Sequence, residues 1–294
     1  MTTFKAKVTV LDQVECEELQ IKAKDGFPLA ATLYPGGSKF VVMAPATGVL
    51  RRFYRHLAAY LQSWGATVVC FDFRGTGGSR PKSLRGFEAK FSEWGLLDLA
   101  GVLRWVREKH RPEQLFIVGH SAGGQVAALA DEPVEGMVTL SSQSGYWKYQ
   151  GANQKYAVCF YMYVVFPILS HLFGYMPWSK LGNAEDIPKG VALEWARWCR
   201  DPHYLHGDES LPLELYGRFQ PPVLAYSIED DAWGSKRSVD AMMQYYPNVE
   251  RRHLVVERPL GHFGYFKAGH EDLWGEITEF FESISFSSSA SSSL

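Results

Sequence analysis

The apolar run Leu115-Phe116-Ile117-Val118 passes directly into Gly119-His120-Ser121-Ala122-Gly123-Gly124 and then into a helix-compatible stretch, Gln125 to Asp131. A strand, a sharp elbow and a helix in that order constrain this chain more than any other feature. The serine at the tip of such an elbow is held in a strained backbone conformation, so its neighbours two positions away must be small. Gly119 and Gly123 meet that requirement.

The same alternation of short strands with helices recurs along the chain and predicts a mostly parallel sheet covered on both faces. Strands are expected near Glu18 to Ile21, Leu29 to Tyr34, Phe40 to Met43, Thr67 to Phe71, Leu115 to Val118, Met137 to Ser141, Val223 to Ser227 and His253 to Val256. The first two, joined by Lys24-Asp25-Gly26-Phe27, read as a hairpin, which makes the sheet mixed at one edge. Between Gly145 and Pro221 the rhythm breaks into a long apolar, aromatic region. The expected organisation is a core in two parts, 1–144 and 222–284, interrupted by a helical cap over 145–221 and followed by a serine-rich, disordered tail over 285–294.

The stretch Tyr156 to Ser179 contains no Asp, Glu, Lys or Arg, and its length alone would admit a membrane span. Pro167, Gly174 and Pro177 are expected to break it into two shorter helices. A span would also separate Ser121 from acidic and imidazole groups later in the chain. No span is therefore expected, while peripheral contact with a membrane stays open. The formal net charge of −2 provides no global field to recruit nucleic acid. Four cysteines without a C-x-x-C pairing, and charges scattered through Met1 to Gln20, lead to the expectation of a cytoplasmic protein.

A serine hydroxyl is a weak nucleophile until a base takes its proton. Of nine histidines, His262 is expected in that role, because Gly261-His262-Phe263-Gly264 follows the last expected strand and precedes the final helix. A carboxylate must then fix the imidazole's tautomer. The strand Val223 to Ser227 ends in Ile228-Glu229-Asp230-Asp231, and counting from Ser227 as the small residue at the strand end selects Asp230, with Asp231 as the alternative. An oxyanion needs two backbone donors. Ala122, directly after the serine, is one; the second is expected in Ala44-Pro45-Ala46-Thr47-Gly48, where Pro45 has no N–H, leaving Ala46, or Thr47 if the register slips by one. Phe160, Tyr163, Trp195 and Trp198 are the expected cap residues around an apolar substrate pocket. No metal-ligand cluster appears, and Arg74 to Ser79 is glycine-rich but lacks the lysine of a phosphate-binding loop, so neither metal nor cofactor is expected.

With the elbow, the Gly261-His262 loop and the block Phe71-Asp72-Phe73-Arg74-Gly75-Thr76-Gly77-Gly78-Ser79-Arg80-Pro81, the chain resembles the α/β-hydrolase superfamily over nearly its whole length. It looks closest to bacterial hydrolases near the serine aminopeptidase and monoacylglycerol lipase-like branch. The resemblance implies an eight-stranded sheet and a serine hydrolase. The expected reaction is hydrolysis of a carboxylic ester through an acyl-enzyme, with amide or peptide hydrolysis or acyl transfer as alternatives on the same residues. A non-catalytic binding protein on the same fold is the alternative of a different class. The resemblance also implies that the Arg-Gly-x-Gly-x-Ser block is structural. The chain departs from the common His-Gly oxyanion motif, showing Ala44-Pro45 instead.

Overall fold

The computed structural model describes residues 7–11, 14–151, 154–182 and 184–291, with side chains within 14–284. Nine strands form one sheet: β1 (Lys7–Leu11), β2 (Val14–Lys22), β3 (Pro28–Tyr34), β4 (Lys39–Ala44), β5 (Thr67–Phe71), β6 (Gln114–His120), β7 (Gly136–Leu140), and, after the short ladder β8 (Tyr175–Met176) and β9 (Ile187–Pro188), β10 (Val223–Ile228) and β11 (Val249–Leu254). Their order is β1-β2-β3-β5-β4-β6-β7-β10-β11. β1, β2 and β3 pair antiparallel, β3 runs antiparallel to β5, and every pair from β5 to β11 is parallel.

All eight expected strands are present, and β1 is an addition at the edge. Its alternating Lys-Val-Thr-Val-Leu lies in a segment whose scattered charges mask the period of two. The final strand begins earlier than expected. Val249-Glu250-Arg251-Arg252-His253-Leu254 is largely exposed at the other edge, so the apolar run that marks an interior strand is missing there.

The central strands are apolar throughout because both faces are covered. In β4, Phe40, Val42 and Ala44 join one core, whereas Val41 and Met43 join the other. β5 and β6 alternate the same way, with Val69, Phe71, Leu115 and Ile117 on one face and Val68, Cys70, Phe116 and Val118 opposite. The helices Ala100–His110 and Lys236–Met243 pack on the first face, and Arg55–Ser63 and Gly275–Ser291 on the second.

The block after β5 ties loops together. Asp72 accepts from the Arg51 N–H at 2.7 Å and the Gly78 N–H at 2.9 Å, and also pairs with the Arg51 guanidinium. Arg74 bridges Asp98 and Asp25.

Between β7 and β10 lie the helices Gln154–Phe160, Phe166–Phe173, Lys189–Arg200 and Glu214–Arg218. Contrary to expectation, Pro167 does not divide the first apolar run. A π-helical turn, Tyr161–Val165, precedes it, and the helical run continues for 20 residues from Gln154 to Phe173. A widened turn accommodates the ring and the missing N–H that would break a regular helix. Gly174, at φ 79°, ends it by returning its N–H to the Ser170 carbonyl.

The serine-rich end also departs from expectation, since the last helix reaches Ser291. Adding residues to a helix already anchored by Ile277 and Phe281 avoids the nucleation cost that would keep the segment unfolded alone. The expected tail at 292–294, and most of the charged N-terminal stretch at 1–6 and 12–13, lie outside the described residues.

Candidate active site

Ser121 stands between β6 and the helical turn Ala122–Gln125 with φ 48° and ψ −112°, a conformation that L-residues rarely adopt. Close packing enforces it: a Cβ at Gly123 would come within 2.0 Å of the Ala44 carbonyl oxygen, and one at Gly119 within 2.6 Å of the Gly124 nitrogen. The elbow thereby lifts the serine hydroxyl to the carboxyl ends of the parallel strands, where a cavity of about 700 Å³ opens. Ser121, His262, Gln143, Thr47, Trp195 and Trp178 are among its lining residues.

His262 reaches this cavity from the loop after β11, and its Nδ1 lies 2.8 Å from Asp231 Oδ2. The carboxylate that meets the imidazole is Asp231, and the expected Asp230 lies elsewhere. β10 runs one residue further than expected, to Ile228, so a count from the true strand end lands on Asp231. The Ser227 hydroxyl, used as the marker, is turned toward the neighbouring strand and meets His253 Nδ1 at 2.9 Å. Asp230 instead accepts the Gly261 N–H at 2.9 Å, bracing the loop that carries His262.

The second oxygen of Asp231 accepts the N–H groups of Trp233 and Gly234, each at 2.8 Å. Burial works to raise the Asp231 pKa. The hydrogen bond and charge of His262, together with the Gly234 N–H, outweigh it and hold the carboxyl below its ordinary value. A carboxylate so placed keeps the imidazole proton on Nδ1 and leaves Nε2 free to accept one.

The Ala46 N–H is already committed. It donates to the Tyr54 hydroxyl at 2.8 Å, and that hydroxyl is 3.0 Å from His120 Nδ1, while His120 Nε2 is 2.9 Å from the His262 carbonyl oxygen. A carbonyl can only accept, so His120 carries its proton on Nε2 and accepts a hydrogen bond from the Tyr54 hydroxyl at Nδ1. Burial, reinforced by neighbouring His262, holds His120 well below the usual imidazole range, which keeps it neutral as this chain of bonds requires. The network joins the loop after β4, the elbow and the His262 loop.

Ala46 is thus corrected as a free donor, and the Thr47 alternative remains. Among the described residues neither the Thr47 nor the Ala122 N–H is given to an acceptor, and Thr47 faces the cavity. Replacing Tyr54 with Phe would leave two buried polar groups unpaired. Chemical denaturation of Tyr54→Phe is expected to show a loss of at least about 2 kcal/mol. An unchanged midpoint would mean the network carries no stability.

Of the four expected cap residues only Trp195 lines the cavity. Phe160 and Tyr163 are corrected to the water-facing side of the helical run Gln154–Phe173, 57% and 48% exposed. Trp198, in the helix Lys189–Arg200, is buried against Phe91 and Tyr204, with its indole N–H on Asp208 at 2.8 Å. Helical periodicity separates Tyr163 and Phe160 from the inner row Val158, Met162 and Phe166, a division that an unbroken apolar run conceals.

Gln143 was not expected at the site, yet the Ser121 hydroxyl points toward its Oε1 at 3.4 Å. Its signal is the polar run Ser141-Ser142-Gln143 directly after the apolar strand β7, at the strand end where ligands bind in such sheets. Among the described residues no group of three His, Cys, Asp or Glu side chains is placed to hold a metal ion.

The fold recurs in known proteins. A family profile described as the alpha/beta hydrolase fold matches residues 40–158. The chain has the α/β-hydrolase fold. An esterase of Pyrococcus furiosus superposes with a TM-score of 0.60 at 18% identity, covering 96% of this chain and 97% of that one. An esterase of Exiguobacterium antarcticum gives 0.59 at 14% identity, covering 90% and 98%. The mouse alpha/beta hydrolase domain-containing protein 10 gives 0.58 at 13%, covering 91% and 99%. No curated protein matches the sequence. At these identities the likeness is one of fold.

Proposed function

We propose that this α/β-hydrolase-fold chain hydrolyses carboxylic esters of small molecules through an acyl-enzyme. The observation that carries this reading is the seating of Ser121 and His262 on one cavity, with Asp231 holding the far nitrogen of the imidazole. In the proposed reaction, the Ser121 oxygen attacks the ester carbonyl carbon while His262 Nε2 takes its proton. The Ala122 and Thr47 N–H groups receive the oxyanion. Collapse expels the alcohol, which leaves with the proton from His262; water, deprotonated by the same nitrogen, then attacks the acyl carbon and releases the acid. Gln143 holds the serine hydroxyl before substrate arrives.

The cavity also speaks to the acyl group. Its size falls in the range of small-molecule sites, and Phe53, Trp178, Ile187, Trp195 and Trp233 give it apolar walls. Each acyl methylene buried there should contribute up to about 0.8 kcal/mol until the space is full. For p-nitrophenyl acetate, butyrate, hexanoate, octanoate and dodecanoate, measured below their micelle thresholds, kcat/KM is expected to rise to a medium chain and then fall. A maximum at acetate would reject the acyl pocket, and no turnover of any member would count against ester hydrolysis itself.

A further inference from the structure

The helix Gln154–Phe173 leaves only 22% of its apolar window buried. Its inner row, Val158, Met162 and Phe166, packs into the core, and Phe166 meets the cavity-lining Trp178 and Trp195 at 4.8 and 5.5 Å. Its outer face exposes Tyr156, Phe160, Tyr163, Val164, Ile168 and Leu172, between 37% and 69% each. Steps of three, four and one residue place them on one side of the helix. A continuous stripe of this kind on a water-facing surface marks a binding face.

The surrounding charges indicate what binds. Lys155 lies 5.0 Å over the Tyr156 ring, Arg200 5.4 Å over Tyr163 and Lys180 5.4 Å over Phe173, while Arg85 Nε donates to the Phe173 carbonyl at 3.1 Å. By contrast, Arg80 pairs with Glu185 and Asp186, and Arg197 with Glu194 and Asp208. The four cations around the stripe form no ion pair among the described residues. Two copies packed stripe to stripe would bring these cations together, whereas anionic headgroups would neutralise them as acyl chains cover the stripe. A span is ruled out by the sheet: β7 and β10, on either side of the cap in sequence, are hydrogen-bonded neighbours.

We propose that the outer face of Gln154–Phe173 docks the protein, lying flat, on a lipid surface bearing anionic headgroups. Tyrosines and basic side chains sit at the headgroup level and Phe160, Ile168 and Leu172 enter the acyl boundary. Docking would set the cavity about one helix diameter from lipid. Binding is read without turnover, so the proposal stands or falls separately from the chemistry at Ser121.

The test is flotation of the full chain with vesicles of phosphatidylcholine alone and of phosphatidylcholine mixed with phosphatidylglycerol. The protein is expected to float with the mixed vesicles and to be released in part by raised salt, since exposed charges are screened. The double variant Ile168→Glu, Leu172→Glu should cut the bound fraction at least about tenfold, because it removes apolar contact and adds carboxylates facing anionic lipid. Its thermal midpoint should be unchanged, as both side chains are exposed. Lys155→Gln, Lys180→Gln and Arg200→Gln should each weaken binding about fivefold. Failure of the parent chain to float with mixed vesicles, or undiminished flotation of the Glu variant, would overturn the proposal. Sedimentation showing a dimer that the Glu variant dissociates, with no flotation, would overturn it in favour of a second copy as the occupant.

Discussion

Ser121→Ala is expected to abolish ester turnover, lowering kcat on the order of 10⁶-fold, and to eliminate labelling by a fluorophosphonate. In the proposed reaction the serine oxygen is the atom that bonds to carbon or phosphorus, and the Ala122 and Thr47 N–H groups receive an oxyanion only after that attack. The substitution should spare the fold. The hydroxyl makes one long contact, 3.4 Å to Gln143, and alanine meets the same backbone strain at φ 48° as serine does. A folded Ser121→Ala protein that still reacts with the fluorophosphonate would place the nucleophile elsewhere.

The second large effect separates two adjacent acids. Asp231→Asn is expected to lower kcat on the order of 10⁴-fold. An amide can present an N–H to His262 Nδ1, which then stabilises the wrong tautomer, and it brings no charge to offset the imidazolium. Asp230→Asn should change kcat little, because its contact is the Gly261 N–H, which an amide oxygen also accepts. The opposite ranking would return the role to Asp230.

Acid titration adds a check on the same residue. The Asp231 carboxyl is held below its ordinary value of 3.8, so its contribution to stability is fully present above that pH and is lost as pH falls through the folded value. Asp231→Asn should therefore narrow the gap between neutral and acid stability. A gap as wide as the parent's would show that the carboxylate is not held down in the folded state.

Residue order along the chain determined the main architecture because its causes are local. Strand-elbow-helix order, small residues beside Ser121 and alternating apolar strands each act within a few positions, so eight strands, the elbow and the histidine loop are legible in the sequence alone. What failed was whatever depends on a partner distant in sequence. Asp230 and Asp231 are equivalent as neighbours in a string, and only the end of β10 beside β11, with His262 arriving 31 residues later, sets which carboxylate meets the ring. Ala46 and Thr47 differ only through Tyr54, whose hydroxyl occupies one N–H and leaves the other at the cavity. The helical run Gln154–Phe173 is legible as apolar, but composition carries no direction. The inward row of Val158, Met162 and Phe166 and the outward row of Tyr156, Phe160 and Leu172 were sorted by packing over the sheet, since burial depends on which surface a helix meets.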